Sequence, residues 1–238
     1  MAIHTARLAP PRSPSPVTFA LKRAMDVIGS IVGLLLLWPV FLVVSIAIRL
    51  DSQGPAFFRQ TRVGQHGRPF LIYKFRSMTT NAPGSGSALT VNADKRVTAV
   101  GAFLRRTKID ELPQFINVLA GDMSLVGPRP EVPEFVEFYS PEQRAILLSM
   151  RPGMTDYAAI LFRDESALLG QGRDPIAVYR YKIMPVKFSC YERYSREIGI
   201  FTDVRIVLAT VLMLIVGHVP GIFGIELTPR RLPGELSG

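Results

Sequence analysis

The chain has 238 residues, 48% of them hydrophobic, enough for one packed domain with an appendage and incompatible with wholesale disorder. Its 28 Lys and Arg against 19 Asp and Glu leave a net charge of +9, which calls for an anionic partner: nucleic acid, an anionic membrane surface or a phosphorylated substrate. A single cysteine, Cys190, excludes a disulfide framework, and with three scattered histidines it excludes a Cys/His zinc site.

In chain order, the first segment carries Pro10, Pro11, Pro14 and Pro16 and reads as a flexible arm over residues 1–20. From Val27 to Ile48 there are 22 residues without a formal charge, long enough for a membrane helix. Arg49, Leu50 and Asp51 follow the run, where a signal peptide would place small residues for cleavage. Cations lie on both sides, Lys22 and Arg23 before and Arg49, Arg59 and Arg62 after, so the positive-inside preference gives no direction. Pro39 divides the run into apolar halves of 12 and 9 residues. Those halves are roughly 18 and 14 Å long, short of a hydrocarbon core of about 30 Å. On residues alone a helix that enters and leaves by one leaflet and a kinked span both remain open.

Ala56–Val63 and Pro69–Phe75 are aromatic and β-branched runs separated by Gly64-Gln65-His66-Gly67, the pattern of a β-hairpin. Asn81–Ser87 reads as a loop. Asp94–Arg106 contains Lys95, Arg96, Arg105 and Arg106. Leu112–Leu119 has helical apolar spacing, with Pro113 suited to the first turn and Gly121 to the stop. Pro141–Met150 is a further helix, and Tyr179–Tyr194 an aromatic, basic helix broken at Pro185. Ile206–Ile225, interrupted by His218, Pro220 and three glycines, reads as an interfacial helix in the membrane plane, with a short second span as the competing reading. The expected class is mainly α with a small β-hairpin, an α+β fold.

The most informative stretch is Leu104–Pro130. It opens on Arg105, Arg106 and Lys108, continues with the adjacent carboxylates Asp110 and Glu111 at the expected start of a helix, and closes on Gly127-Pro128-Arg129-Pro130. This assembly suits phosphoryl transfer. A carboxylate attacks phosphorus and holds it as an acyl phosphate, splitting one displacement into two. Nearby cations cancel the repulsion between carboxylate and diphosphate and stabilise transition-state charge. Arginine grips phosphate with two donors at once. Mg²⁺ prefers carboxylate and phosphate oxygens, so one acid ligates it while the other attacks. Taken singly, Asp-Glu is more often a helix-start pair, and Gly-Pro-Arg-Pro is usually only a turn.

Together these segments resemble the bacterial sugar transferases, the monotopic phosphoglycosyl transferases. The resemblance runs from about Leu21 to Leu208. It is carried by Lys22-Arg23 with Asp26, Pro39, Gly54-Pro55, Phe58-Arg59-Gln60, Arg62-Val63-Gly64 and Lys74-Phe75-Arg76-Ser77-Met78. It continues through Asp110-Glu111-Leu112-Pro113-Gln114, Asn117-Val118, Gly121-Asp122-Met123-Ser124, Val126 to Pro130 and Arg151-Pro152-Gly153. It implies an enzyme of the bacterial inner membrane, with its catalytic domain on the cytoplasmic face. Such an enzyme moves a sugar-1-phosphate from a UDP-sugar to a polyprenyl phosphate, such as undecaprenyl phosphate, and releases UMP. It also implies a monotopic protein held by a proline-broken re-entrant helix, which tips the reading of Val27–Ile48 towards re-entry.

Carried over by position, Asp110 matches the nucleophile and Glu111 its partner at the magnesium site, so both are the expected metal-site carboxylates. Lys74 and Arg105 match cations near the phosphates, Arg129 the nucleotide-side motif, and Arg151 a further phosphate-facing arginine. Spacing alone reads Lys74, Arg76 and Arg151 equally well as solvated charges. The resulting division is an arm at 1–20, a membrane helix at 21–50, a catalytic domain at 51–203 and a C-terminal membrane-associated helix and tail at 204–238. The chain departs from the common pattern at Asp156, where many members have glycine, across Leu161–Pro185, and at Tyr191 beside Glu192. The alternative is a non-catalytic basic adaptor that binds anionic lipid. Nucleic-acid binding fits the charge, but the basic residues are interleaved with phosphate-site motifs and form no recognised module, so no nucleic-acid partner is expected.

Overall fold

The computed structural model describes residues 15–79, 94–162, 165–170 and 174–217. The segment read as the loop Asn81–Ser87, most of the arm and the end of the last apolar stretch lie outside them.

Helix α1, Pro16–Asp51, begins inside the segment expected to be an arm, with the Ser15 side chain accepting from the Thr18 N–H. Pro39 lies within it. The proline removes one backbone donor, yet the helix continues on both sides. Among the described residues α1 is the one helix long and apolar enough to cross a membrane. Leu35, Leu36 and Trp38, near its middle, are 62–72% exposed.

Both ends of α1 are nevertheless tied to the domain that follows. Near its start the Lys22 ammonium donates to the Val126 carbonyl at 2.8 Å and to the Tyr194 hydroxyl at 3.0 Å, and pairs with Asp203. Asp26 accepts from the Ser124 hydroxyl at 3.0 Å and from the Leu125 N–H at 2.8 Å. Near its end Val44 and Ile48 pack with Phe75 and Leu104. There the buried Arg76 guanidinium covers the C-terminal carbonyls, donating to Ser52 O at 2.7 Å, to Ile48 O at 3.3 Å and to Gln53 O. Arg76 is therefore a helix cap rather than a solvated charge. Between the two ends Gly29 lies against the tip of Leu125 and Gly33 against the Phe115 ring, so a side chain at either position would push its neighbour aside.

The hairpin forms as expected: β1 (Phe57–Val63) pairs antiparallel with β2 (Pro69–Phe75). Helix α2 (Ala99–Thr107) is capped by Thr98 and ends at Lys108, in the left-handed region at φ 61°. That turn leads into a 3-10 turn at Ile109–Glu111, and helix α3 (Gln114–Ala120) follows. Asp110 and Glu111 thus sit in a turn of their own before the helix, because the αL residue redirects the chain. A short parallel pair joins β3 (Ser124–Val126) to β4 (Gly153–Thr155) across the helices α4 (Pro133–Val136) and α5 (Pro141–Leu148).

The C-terminal part holds α6 (Tyr157–Leu161), α7 (Glu165–Leu169) and α8 (Pro175–Val178). A π-turn at Tyr179–Ile183 leads into α9 (Met184–Glu197), and α10 (Ile200–Val216) follows. Pro185 lies near the start of α9, in a run that is helical without a break from α8, and the π-turn that falls just before it accommodates the missing N–H. Helix α10 stops at Gly217 in αL geometry and leaves Phe201 91% and Ile215 76% exposed. The largest core, including Val126, Tyr157, Tyr191, Tyr194 and Ile206, binds β3 to α6, α9 and α10.

Candidate active site

Two segments reach Glu111 from outside its own 3-10 turn. Strand β2 presents Lys74 on one side, and the turn after β3 presents Arg129 on the other. The Lys74 ammonium donates to Glu111 Oε1 at 2.9 Å. The Arg129 guanidinium approaches with two donors, one to Glu111 Oε2 at 3.0 Å and a shorter one to Oε1. Burial alone would raise the Glu111 pKa, but the charges of Arg129 and Lys74 outweigh it and hold the carboxyl well below its usual range. Glu111 in turn raises Arg129, whereas burial lowers Lys74 despite that neighbour.

Asp110 is the contrasting member. It is buried at 7% exposure, and its Oδ1 has no hydrogen-bond partner among the described residues. Burial, with the Glu111 charge second, raises its pKa, against opposing pulls from Lys74, Arg105 and Lys108. An unpaired carboxylate oxygen is expensive to bury and is a feature that calls for an explanation. Here the charges of Lys74, Arg105 and Lys108 act on it, while its neighbour Glu111 is already paired with Lys74 and Arg129.

The turn that carries Arg129 is held tightly. The Gly127 N–H donates to Thr155 O at 3.1 Å, and the Gly153 N–H to Pro128 O at 2.9 Å. A Cβ on Gly127 would lie 2.3 Å from the Arg151 carbonyl oxygen, and one on Gly153 2.1 Å from Gly127 N, so both positions require glycine. Pro128 and Pro130 stiffen the turn from either side of Arg129. Beneath it the Arg62 guanidinium donates to Pro130 O at 3.1 Å, and the Val63 N–H donates to the Glu131 carbonyl at 3.0 Å.

The structure thus brings together Lys74, Asp110, Glu111 and Arg129. Arg105, half-buried in the last turn of α2, acts on Asp110 through its charge alone. Arg151 contributes its carbonyl against Gly127, while its guanidinium makes no hydrogen bond or ion pair with a described residue. Sequence reasoning missed Glu131, a buried carboxylate that accepts from the Tyr179 hydroxyl at 2.6 Å and the Tyr139 hydroxyl at 3.3 Å. Its position directly after Pro130 was the available signal. No cluster of three or more His, Cys, Asp or Glu that would hold a metal on protein ligands alone occurs among the described residues.

Two cations that now share one carboxylate, with a second, unpaired acid beside them, have the chemistry to take up phosphate oxygens. The model of the bacterial sugar transferase family matches residues 17–217. The chain belongs to that family. It is 51% identical over 123 residues to a putative undecaprenyl-phosphate N-acetylgalactosaminyl 1-phosphate transferase of Bacillus subtilis, covering 52% of this chain and 69% of that protein. It is 43% identical over 150 residues to the UDP-N-acetylgalactosamine-undecaprenyl-phosphate N-acetylgalactosaminephosphotransferase of Aeromonas hydrophila, covering 62% of this chain and 36% of that protein. Against the UDP-glucose:undecaprenyl-phosphate glucose-1-phosphate transferase of Escherichia coli the identity is 40% over 200 residues, 83% of this chain and 40% of that protein. The match therefore spans well under half the length of the latter two relatives.

Proposed function

We propose that this family member transfers a sugar-1-phosphate from a UDP-sugar to a polyprenyl phosphate such as undecaprenyl phosphate, releasing UMP and initiating assembly of a bacterial polysaccharide. The observation that carries this reading is the unpaired Oδ1 of buried Asp110 beside the Lys74–Glu111–Arg129 bridge. In the first step an Asp110 oxygen attacks the β-phosphorus of the donor. The bond from that phosphorus to the bridging oxygen breaks, the electron pair leaves with UMP, and an aspartyl phosphosugar remains. In the second step an oxygen of the polyprenyl phosphate attacks the same phosphorus, the acyl P–O bond breaks, and the Asp110 carboxylate is restored. Arg129 and Lys74 leave Glu111 to bind the incoming diphosphate, and Arg105 adds positive charge on the Asp110 side.

The residues fit magnesium only together with the donor's own oxygens: Glu111 and Asp110 are the carboxylates that would hold it beside the diphosphate. Bound there, Mg²⁺ supplies neutralisation of the diphosphate charge.

The re-entrant reading of α1 is supported by its docking. Lys22 and Asp26 near one end, and Val44 and Ile48 near the other, all rest on the same domain, which cannot stand on both sides of a bilayer at once. The exposed apolar faces of α1 and α10 would then enter one leaflet from the cytoplasmic face of the inner membrane. Cysteine labelling near Arg12 and Arg59 is expected to find both on the same side, and opposite sides would make α1 a span. The reaction is tested by adding UDP-sugar and Mg²⁺ without acceptor. One equivalent of UMP and a phosphosugar-labelled protein are expected. Vesicle binding with no magnesium-dependent UMP release would instead support the lipid-binding adaptor.

A further inference from the structure

The 3-10 turn with Asp110 and Glu111 and the strand with Lys74 come from separate parts of the chain, and Asn117 ties them together. The turn runs into α3 through the Phe115 N–H to Leu112 O bond at 3.1 Å and the Ile116 N–H to Pro113 O bond at 3.0 Å, so a shift of α3 shifts the turn. Strand β2 has β1 on one edge and, among the described residues, no strand on the other. There Asn117, 1% exposed, takes a strand's place. Its Oδ1 accepts from the Tyr73 N–H at 2.9 Å, and its Nδ2 donates to the Leu71 carbonyl at 2.8 Å. Its own carbonyl accepts from the N–H groups of Gly121, Asp122 and Met123, closing the turn after α3. Ile72, Val118 and Met123 pack where α3 lies on β2. That apolar contact holds the two together but has no direction, so it tolerates sliding. The two amide bonds do not. A slip of one strand residue, about 3.3 Å, would carry Lys74 out of hydrogen-bond reach of Glu111, now 2.9 Å away.

We infer that Asn117 is a positioning residue for Lys74: by taking both bonds at the open edge of β2 it fixes strand against helix, and so sets the Lys74 ammonium on the Glu111 carboxylate. Its part in the reaction rests on the reading of Lys74 as one of the cations that pass from Glu111 to the donor diphosphate. An apolar residue of similar size makes neither bond, and an ionised aspartate accepts from Tyr73 but has nothing to donate to Leu71.

The test uses the full chain in two measurements. The first is chemical acetylation of lysines, read by peptide mass spectrometry. Lys22 and Lys187 are the internal standards, since each is buried in an ion pair of its own, with Asp203 and with Glu165. Asn117→Ala is expected to raise the acetylation rate of Lys74 several-fold and to leave Lys22 and Lys187 as in the wild type. Asn117→Asp, of nearly the same size, is expected to act in the same direction and serves if the alanine variant does not fold. The second measurement is the rate of UMP release from a panel of UDP-sugars with Mg²⁺. Asn117→Ala is expected to slow it about tenfold in the wild-type background and to add nothing in Lys74→Met, because one residue acts through the other. A merely structural role would cost the same in both backgrounds. Unchanged acetylation of Lys74, a rise shared by all three lysines, or equal losses of rate in the two backgrounds overturns the inference. If the wild type releases no UMP from any donor, the transferase reading fails, and acetylation alone still decides whether Asn117 places Lys74.

Discussion

Asp110 and Asp203 are both buried aspartates close to a lysine, but their oxygens are used differently. Asp203 gives Oδ2 to Lys22 and accepts from the Tyr194 hydroxyl on Oδ1 at 2.8 Å, and both partners also donate to the Val126 carbonyl. That cluster consumes its own charge and fastens α1, α9, α10 and β3 together. At the other site the cations satisfy Glu111 and leave an oxygen of Asp110 unmet. The complete pair holds the fold, whereas the unmet oxygen of Asp110 is the opening on which the proposed chemistry rests.

The largest expected effect breaks this contrast at its reactive end. Asp110→Asn should lower UMP release about 10³-fold or more and abolish the labelled protein while the fold persists, because a neutral amide is no nucleophile. Next comes the clamp: Arg129→Ala should cost roughly 100-fold in kcat/KM, and Arg129→Lys should recover only part of it, since an ammonium lacks the two-pronged grip. Steady-state release of UMP measures both.

At the structural end, Asp203→Ala should leave Lys22 buried and unpaired, destabilising the protein by about 3 kcal/mol in thermal or denaturant unfolding. The double change Lys22→Met with Asp203→Leu should restore most of that. Equal losses for the single and double variants would show that the pair does more than neutralise itself.

The smallest effect follows from the raised pKa of Asp110. Burial and Glu111 make its folded pKa higher than its unfolded one, so the folded state holds the proton more tightly, and stability declines as pH rises from the unfolded value through the folded one. Asp110→Asn should therefore unfold at a slightly higher temperature than the wild type at pH 7, and the difference should vanish below about pH 4. The wild-type rate should fall on the acid side at a pH above the ordinary carboxylate value, because attack requires the ionised form.

What the sequence revealed follows the range of the interactions. The β1–β2 hairpin was legible because strand pattern and turn are neighbours in the chain. The importance of Asp110, Glu111 and Arg129 was legible because three motifs stand within one short stretch. The bond from Lys22 to Asp203 joins positions 181 apart, and nothing local announces it. Arg76 looks like any basic residue just past a strand, and only the arrival of the α1 C-terminus turns it into a cap. The bonds that hold the Gly127–Pro130 turn depend on β3 meeting β4 in parallel, a pairing too short to leave a pattern. Asp110 and Glu111 were placed at a helix start, but the left-handed Lys108 inserts a separate turn before α3. A lysine in that backbone region carries no signature of its own.

The most direct measurement is mass spectrometry of the protein quenched after exposure to UDP-sugar and Mg²⁺ in the absence of lipid acceptor. The account requires a mass increase of one sugar phosphate, mapped to Asp110 and removed on adding polyprenyl phosphate. Product formation with the adduct on another residue, or with none on any residue, would contradict it.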